Sequence, residues 1–176
     1  MKAISLWQPW ASAMAIGAKQ IETRGWSTNY RGPVAIHAAK RLKKREMFDL
    51  ANSLPFCAVF QHELMPSFWC QKLCEILPFG AIVAIGDLIA CDAVEQLDLS
   101  FLKNRKWRND EGSVVNESPD PRGLFYASWS EYELGDYSPG RFAWWFNKIK
   151  KLKNPIPFKG SQGWFNVPDE LIAEQL

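Results

Sequence analysis

The sequence lacks any run of roughly 18 consecutive apolar residues, the length a membrane-spanning helix requires. Its four cysteines, Cys57, Cys70, Cys74 and Cys91, show no CxxC spacing, which argues against a disulfide scaffold. A phosphate loop, a GxSxG elbow and an HExxH pair are all missing, so the common phosphate-binding, serine-hydrolase and zinc-protease signatures do not apply. An excess of charge is missing too. Lys and Arg number 21 against 19 Asp and Glu, a net of +2, so a nucleic-acid role has to come from charge placement. The apolar start after Met1-Lys2 is broken at Gln8 and Pro9 and leads into the fold, unlike a signal peptide. The chain reads as soluble and cytoplasmic.

Aromatic residues are abundant, 14% of the chain, with nine Trp among them. With 47% hydrophobic and 23% charged residues, this composition predicts one globular domain over residues 1–176 with its own core. Rigid rings in such number supply both core volume and stacking faces.

Ala3 to Leu6 reads as a strand. Pro9 opens a helix that runs to about Ile16 and stops at Gly17. Residues 20–24 alternate like a strand, and the turn Asn29 to Pro33 leads into a second one from Val34 to Ala39. Helical patterns follow over 41–51 and, from near Pro66, over 63–76. Ala81 to Leu97 is too long for one straight strand, with a bend expected at Gly86. Residues 98–141 are polar and read as a long loop. Phe142 to Leu152 returns to a strand pattern, and a short helix from about Pro168 follows. Short strands with flanking helices predict an α+β fold built on a small β-barrel.

The chemistry concentrates in Gly17-Ala18-Lys19-Gln20-Ile21-Glu22-Thr23-Arg24. On a strand, Glu22 and Arg24 share a face with Gln20, while Ile21 and Thr23 point to the other. Taken alone, the pattern suits a structural Glu–Arg ion pair as well as a site. Lys19 and Arg24 suit a phosphate, while Glu22 suits a base edge, an orienting contact to Lys19, or a general base. Trp7 fits stacking and core equally, whereas Trp10, on the apolar helix face, fits the core. Basic residues gather in three runs: 40–45, 103–108 around Trp107, and 148–153. Together these hold 13 of the 21 cations. His37 reads as a structural histidine. Cys57, His62, Cys70 and Cys74 match no zinc spacing and read as buried thiols beside an unrelated histidine. No metal or cofactor is expected.

Flanking segments place this pattern in a wider context: Ser5-Leu6-Trp7-Gln8-Pro9-Trp10-Ala11, Tyr30 to Ala38, Gly140 to Trp144, and Pro157 to Trp164. With them, the sequence resembles the ASCH-domain family of the PUA-like superfamily. Gly17, Lys19, Glu22 and Arg24 match every defined position of its Gly-x-Lys-x-x-Glu-x-Arg hallmark. The resemblance covers 1–40, 80–97 and 140–165, leaving about 41–78 and 98–141 as variable insertions. It implies a small PUA-like β-barrel with a polar cleft that binds RNA, another nucleic acid or a nucleotide. The expected binding residues are Trp7, Gln8, Lys19, Glu22, Arg24, Arg31, Lys159 and Gln162. It also implies an alternative, a hydrolase acting on RNA or a modified nucleoside, with Lys19 and Glu22 as its catalytic pair. One family branch is an amidohydrolase on acetylated cytidine. Its hydroxyl residue falls at the position held here by Glu22, a departure from that branch.

Overall fold

A computed structural model describes residues 1–40, 56, 59–60, 76–104 and 131–173. Six strands appear in chain order: β1 (Lys2–Leu6), β2 (Ile21–Arg24), β3 (Gly32–Ala38), β4 (Ala81–Ala93), β5 (Phe142–Pro157) and β6 (Phe165–Asn166). Three short helices have their bounds among the described residues: α1 (Trp10–Ala15), α2 (Leu99–Asn104) and α3 (Glu170–Ala173). The strands form one mixed sheet in the order β2-β5-β4-β3-β1-β6. β1 and β3 run parallel, and the other neighbours are antiparallel.

Local chemistry explains the first elements. The Gln8 side chain accepts a hydrogen bond from the Ser12 amide at 3.1 Å and donates to the Pro78 carbonyl at 2.7 Å. One orphan donor in the first turn of α1 is thereby satisfied, and the helix start is tied to the segment preceding β4. Gly17, at φ +78°, reverses the chain into β2 with a backbone conformation that L side chains rarely adopt. Alternation in β2 buries Ile21 and Thr23 and leaves Glu22 and Arg24 largely but not fully buried on the other face, in keeping with the alternation read from the sequence.

The core lies on both faces of the sheet. Ile4, Leu6, Met14, Val34, Ile36, Leu88, Trp144 and Phe146 fill the face under α1. On the other face Ala35, Ile82, Ile85, Leu152 and Val167 pack with Ile172 of α3. Burying a side chain of this size stabilises the fold by about 1.5–3 kcal/mol.

Two expectations need correction. The predicted barrel is an open sheet among the described residues: β2 and β6 lie at its edges and do not pair. β2 has only four residues and β6 two, too little backbone to close the ladder. Second, residues 98–141 are more than a loop, because they contain α2 and a 3₁₀ turn at Glu131–Leu134. Leu102, Leu134 and Tyr137 anchor these pieces in buried positions. Apolar residues so widely spaced give no detectable period.

β4 shifts register between Ile85 and Asp87, at the expected Gly86 bend, and ends in a 3₁₀ turn at Val94–Gln96. β5 extends five residues beyond the predicted Leu152. The helices expected over 41–51 and 63–76 lie largely outside the described residues. So do the basic residues at 41–45 and 105–108, Trp107, Cys57, His62, Cys70 and Cys74. Cys91 is half-buried in β4, where its Sγ accepts the Thr28 amide at 3.4 Å.

Candidate functional site

A cleft of about 250 Å³ opens where α1, β2 and the segment entering β5 meet. It is lined by Leu6, Trp7, Trp10, Lys19, Glu22, Thr23 and, from the far side, Leu134, Gly135, Asp136 and Arg141. Trp7 stands at its edge, 45% exposed. Trp10 is half-buried, donates its indole N–H to the Leu134 carbonyl at 3.0 Å, and packs edge-on against Phe56. The expectation of core for Trp10 therefore describes only part of its surface.

Lys19 occupies the floor, with its side chain 1% exposed. Its nearest counter-charge is the Glu131 carboxylate, Oε1 at 3.7 Å, too far for a hydrogen bond. That carboxylate is already engaged. Its Oε2 accepts the Gln20 amide and its Oε1 the Ile21 amide, both at 3.0 Å. Glu131 thus fastens the start of β2 and neutralises Lys19 at a distance, leaving the ammonium without a hydrogen-bond partner among the described residues. A buried cation tolerates this only with a counter-ion nearby.

Glu22 lies beside it, 13% exposed, with Arg24 Nε at 3.3 Å from its Oε1. Burial raises the carboxyl above the ordinary glutamate range. The cations Arg24, Lys19 and Arg141 oppose that rise, and the Glu131 charge adds to it. Arg24 is otherwise occupied, since its Nη2 donates to the Ser5 carbonyl at 2.6 Å. That contact holds Arg24 against β1 as a support for Glu22.

Arg141 closes the far wall. Its Nη2 donates to the Thr23 carbonyl at 2.8 Å and its Nη1 pairs with Asp136 at 3.3 Å, while its buried Nε has no acceptor among the described residues. The Thr23 hydroxyl accepts the Asp136 amide at 3.2 Å. It is thereby engaged in holding the far wall.

Of the residues expected from sequence, Trp7, Lys19 and Glu22 meet in the cleft, and Arg24 backs them. Gln8 is buried and serves α1. Arg31 folds onto its own turn, donating to the Thr28 and Tyr30 carbonyls. Lys159 and Gln162 are exposed on the turn after β5 and do not line the cleft. Glu131, Asp136 and Arg141 carry no motif and were reachable only through their weak position near the Gly140 to Trp144 segment.

His37 is structural. Its Nδ1 lies 3.0 Å from the Ser5 hydroxyl, and its Nε2 lies 3.0 Å from the Phe158 carbonyl. The carbonyl needs a donor, so Nε2 carries the proton and Nδ1 accepts from Ser5. Burial lowers the imidazole below its ordinary value, against the opposing pull of the Phe158 carbonyl.

Among solved structures, the chain resembles the ASCH protein from Zymomonas mobilis, at 13% identity and a TM-score of 0.47, over 98% of this chain and 91% of that one. A point-mutant form of the same protein aligns at 14% identity and a TM-score of 0.46, over 98% and 92%. No curated protein matches. The family model for the ASCH domain matches residues 4–155, from β1 through most of β5. The chain belongs to the ASCH domain family.

Proposed function

We propose that the protein binds RNA by taking an unpaired nucleobase into the cleft, with Trp7 as the stacking face and Lys19 and Glu22 as the polar floor. One observation carries this reading. Among the described residues, Lys19 Nζ and Arg141 Nε lack hydrogen-bond partners and Glu22 has only its ion pair with Arg24. Buried polar groups are normally satisfied, so a convergent unsatisfied set under an exposed Trp suits a ligand rather than the fold. The family as a whole is regarded as RNA-binding, which agrees. Carboxylates of Glu22 and Asp136 in the same cleft disfavour a phosphate there. Phosphates fit better against exposed lysines such as Lys148, Lys150 and Lys153. In this reading residues 1–176 form a single domain, and the second insertion contributes Glu131 and Asp136 to the site.

Fluorescence anisotropy of labelled single-stranded RNA tests the proposal. Binding should be salt-dependent and should weaken about tenfold in Trp7→Ala. Absence of binding to single-stranded or structured RNA at low salt overturns it.

A hydrolase acting on RNA or a modified nucleoside remains the second reading, favoured by the raised Glu22 carboxyl beside the Lys19 amine. Incubation with acetylated cytidine and mixed RNA, read by mass spectrometry, distinguishes it. Turnover that disappears in Glu22→Gln while binding persists makes the protein an enzyme.

A further inference from the structure

We infer that the cleft selects guanine, reading its Watson–Crick edge with the Glu22 carboxylate on the N1–H and N2–H donors and the Lys19 ammonium on O6. Guanine selection rests on the cleft being the base-binding site, as proposed above.

Complementarity decides the base. Glu22 offers two acceptor oxygens, and among the described residues no hydrogen bond occupies either; Arg24 Nε approaches only as an ion-pair partner. Lys19 offers ammonium donors and no acceptor. The matching edge must present two adjacent N–H donors next to a carbonyl. Guanine does so with N2, N1 and O6. Uracil has a single N–H between two carbonyls. Adenine and cytosine place an acceptor ring nitrogen beside the amine, where the second donor is needed, and its lone pair would face the carboxylate.

Depth and charge agree with an edge-first insertion. Lys19 Nζ is buried beneath the cleft lining, so O6 meets it only when the base is pushed fully in and the lysine side chain turns toward it. Trp7 at the edge and Trp10 on the wall offer ring surface to a planar base. The charged groups that act on Glu22 are Lys19 before β2, Arg24 on β2, and Glu131 and Arg141 from the far segment, where Asp136 also lines the cleft. Three cations against Glu131 favour the ionised carboxylate that guanine requires, while burial opposes it. Guanine preference should therefore grow as pH rises through the Glu22 titration.

The test uses the wild-type chain and nine-nucleotide RNAs with uridines flanking one central guanosine, 7-deazaguanosine, inosine, adenosine or cytidine. Guanosine and 7-deazaguanosine should bind alike, about tenfold or more tighter than adenosine or cytidine, because a bidentate pair discriminates on that scale. Inosine, which lacks the N2 amine, should fall between. In Glu22→Gln the guanosine advantage should shrink to about twofold or less. Equal binding of all five RNAs overturns guanine selection while leaving the cleft reading intact. Loss on 7-deaza substitution with inosine retained also overturns it, because the N7 edge would then be the one read. No binding by any RNA is a failure of the proposed function itself. The base analogues keep the question answerable if Glu22→Gln fails to fold.

Discussion

Two buried polar clusters sit on either side of β1, and they are built in opposite ways. At one, Ser5, His37 and the Phe158 carbonyl form a closed chain of hydrogen bonds, and Gly160 lies so close that a Cβ there would stand 2.3 Å from His37 Cε1. No room and no spare donor remain. At the other, among the described residues, Lys19 Nζ and Arg141 Nε find no hydrogen-bond partner beside an open cleft that Glu22 also lines. The first cluster uses polar groups to join β1, β3 and the end of β5. The second leaves them unpaired, which costs stability. Arg24 connects the two, because it supports Glu22 while bonding to the backbone of Ser5.

The strongest perturbation of this contrast is Glu131→Ala. It leaves Lys19 buried without a counter-ion and frees two amides at the start of β2. Unfolding in urea should show a loss of about 3–5 kcal/mol. A loss below about 1 kcal/mol would mean that Glu131 is not what holds the floor. Gly160→Ala comes next. The new methyl must displace His37 or Ser5, for a loss of about 1–3 kcal/mol, with RNA affinity unchanged. If affinity fell with stability, the closed cluster would belong to the binding surface.

Trp7→Ala sharpens the comparison from the other side. Trp7 is 45% exposed, so truncation should cost about 1 kcal/mol of stability while RNA affinity drops about tenfold. A stability loss of about 3 kcal/mol or more with RNA affinity unchanged would make Trp7 a core residue.

The smallest effects concern pH, and the clusters should respond in opposite directions. His37 is depressed in the fold, so its contribution is full above the ordinary value of 6.5 and is lost as pH falls through the lower folded value. Glu22 is raised, so its contribution is full below 4.5 and is lost as pH rises through the higher folded value. Above pH 4.5 the Glu22 carboxyl therefore weakens the fold. Glu22→Gln should raise the melting temperature by about 2 °C near pH 7, a gain that fades below pH 4.5. A lower melting temperature at pH 7 would show that the Arg24 and Lys19 contacts outweigh desolvation.

Much of this was legible in the chain itself, where short-range rules apply. The Pro9 start and Gly17 stop of α1, the alternation of β2 and the Gly86 irregularity in β4 each depend on a few neighbouring residues, and each was readable. Within the hallmark, Lys19 and Glu22 were readable as neighbours in one site. Barrel closure was not, because it depends on how much backbone β2 and β6 offer as sheet edges. The pieces at 99–104 and 131–134 escaped notice because each is a single turn or so, anchored by isolated residues such as Leu102 and Leu134.

By itself, the sequence determined the α+β class, the aromatic-rich core and a Lys–Glu–Arg constellation at the end of α1. Spacing along six residues is enough to place those side chains near one another. Only the tertiary structure decided which of them faces the cleft. Glu131, 112 residues beyond Lys19, takes the counter-ion role, Arg141 supplies the second cation, and Arg24 is turned away to Ser5. Hydrogen-bond partners are chosen by distance in space, and a carboxylate spent on two backbone amides cannot also satisfy an ammonium 3.7 Å away. That choice, made across the fold, leaves the Lys19 ammonium without a hydrogen bond among the described residues.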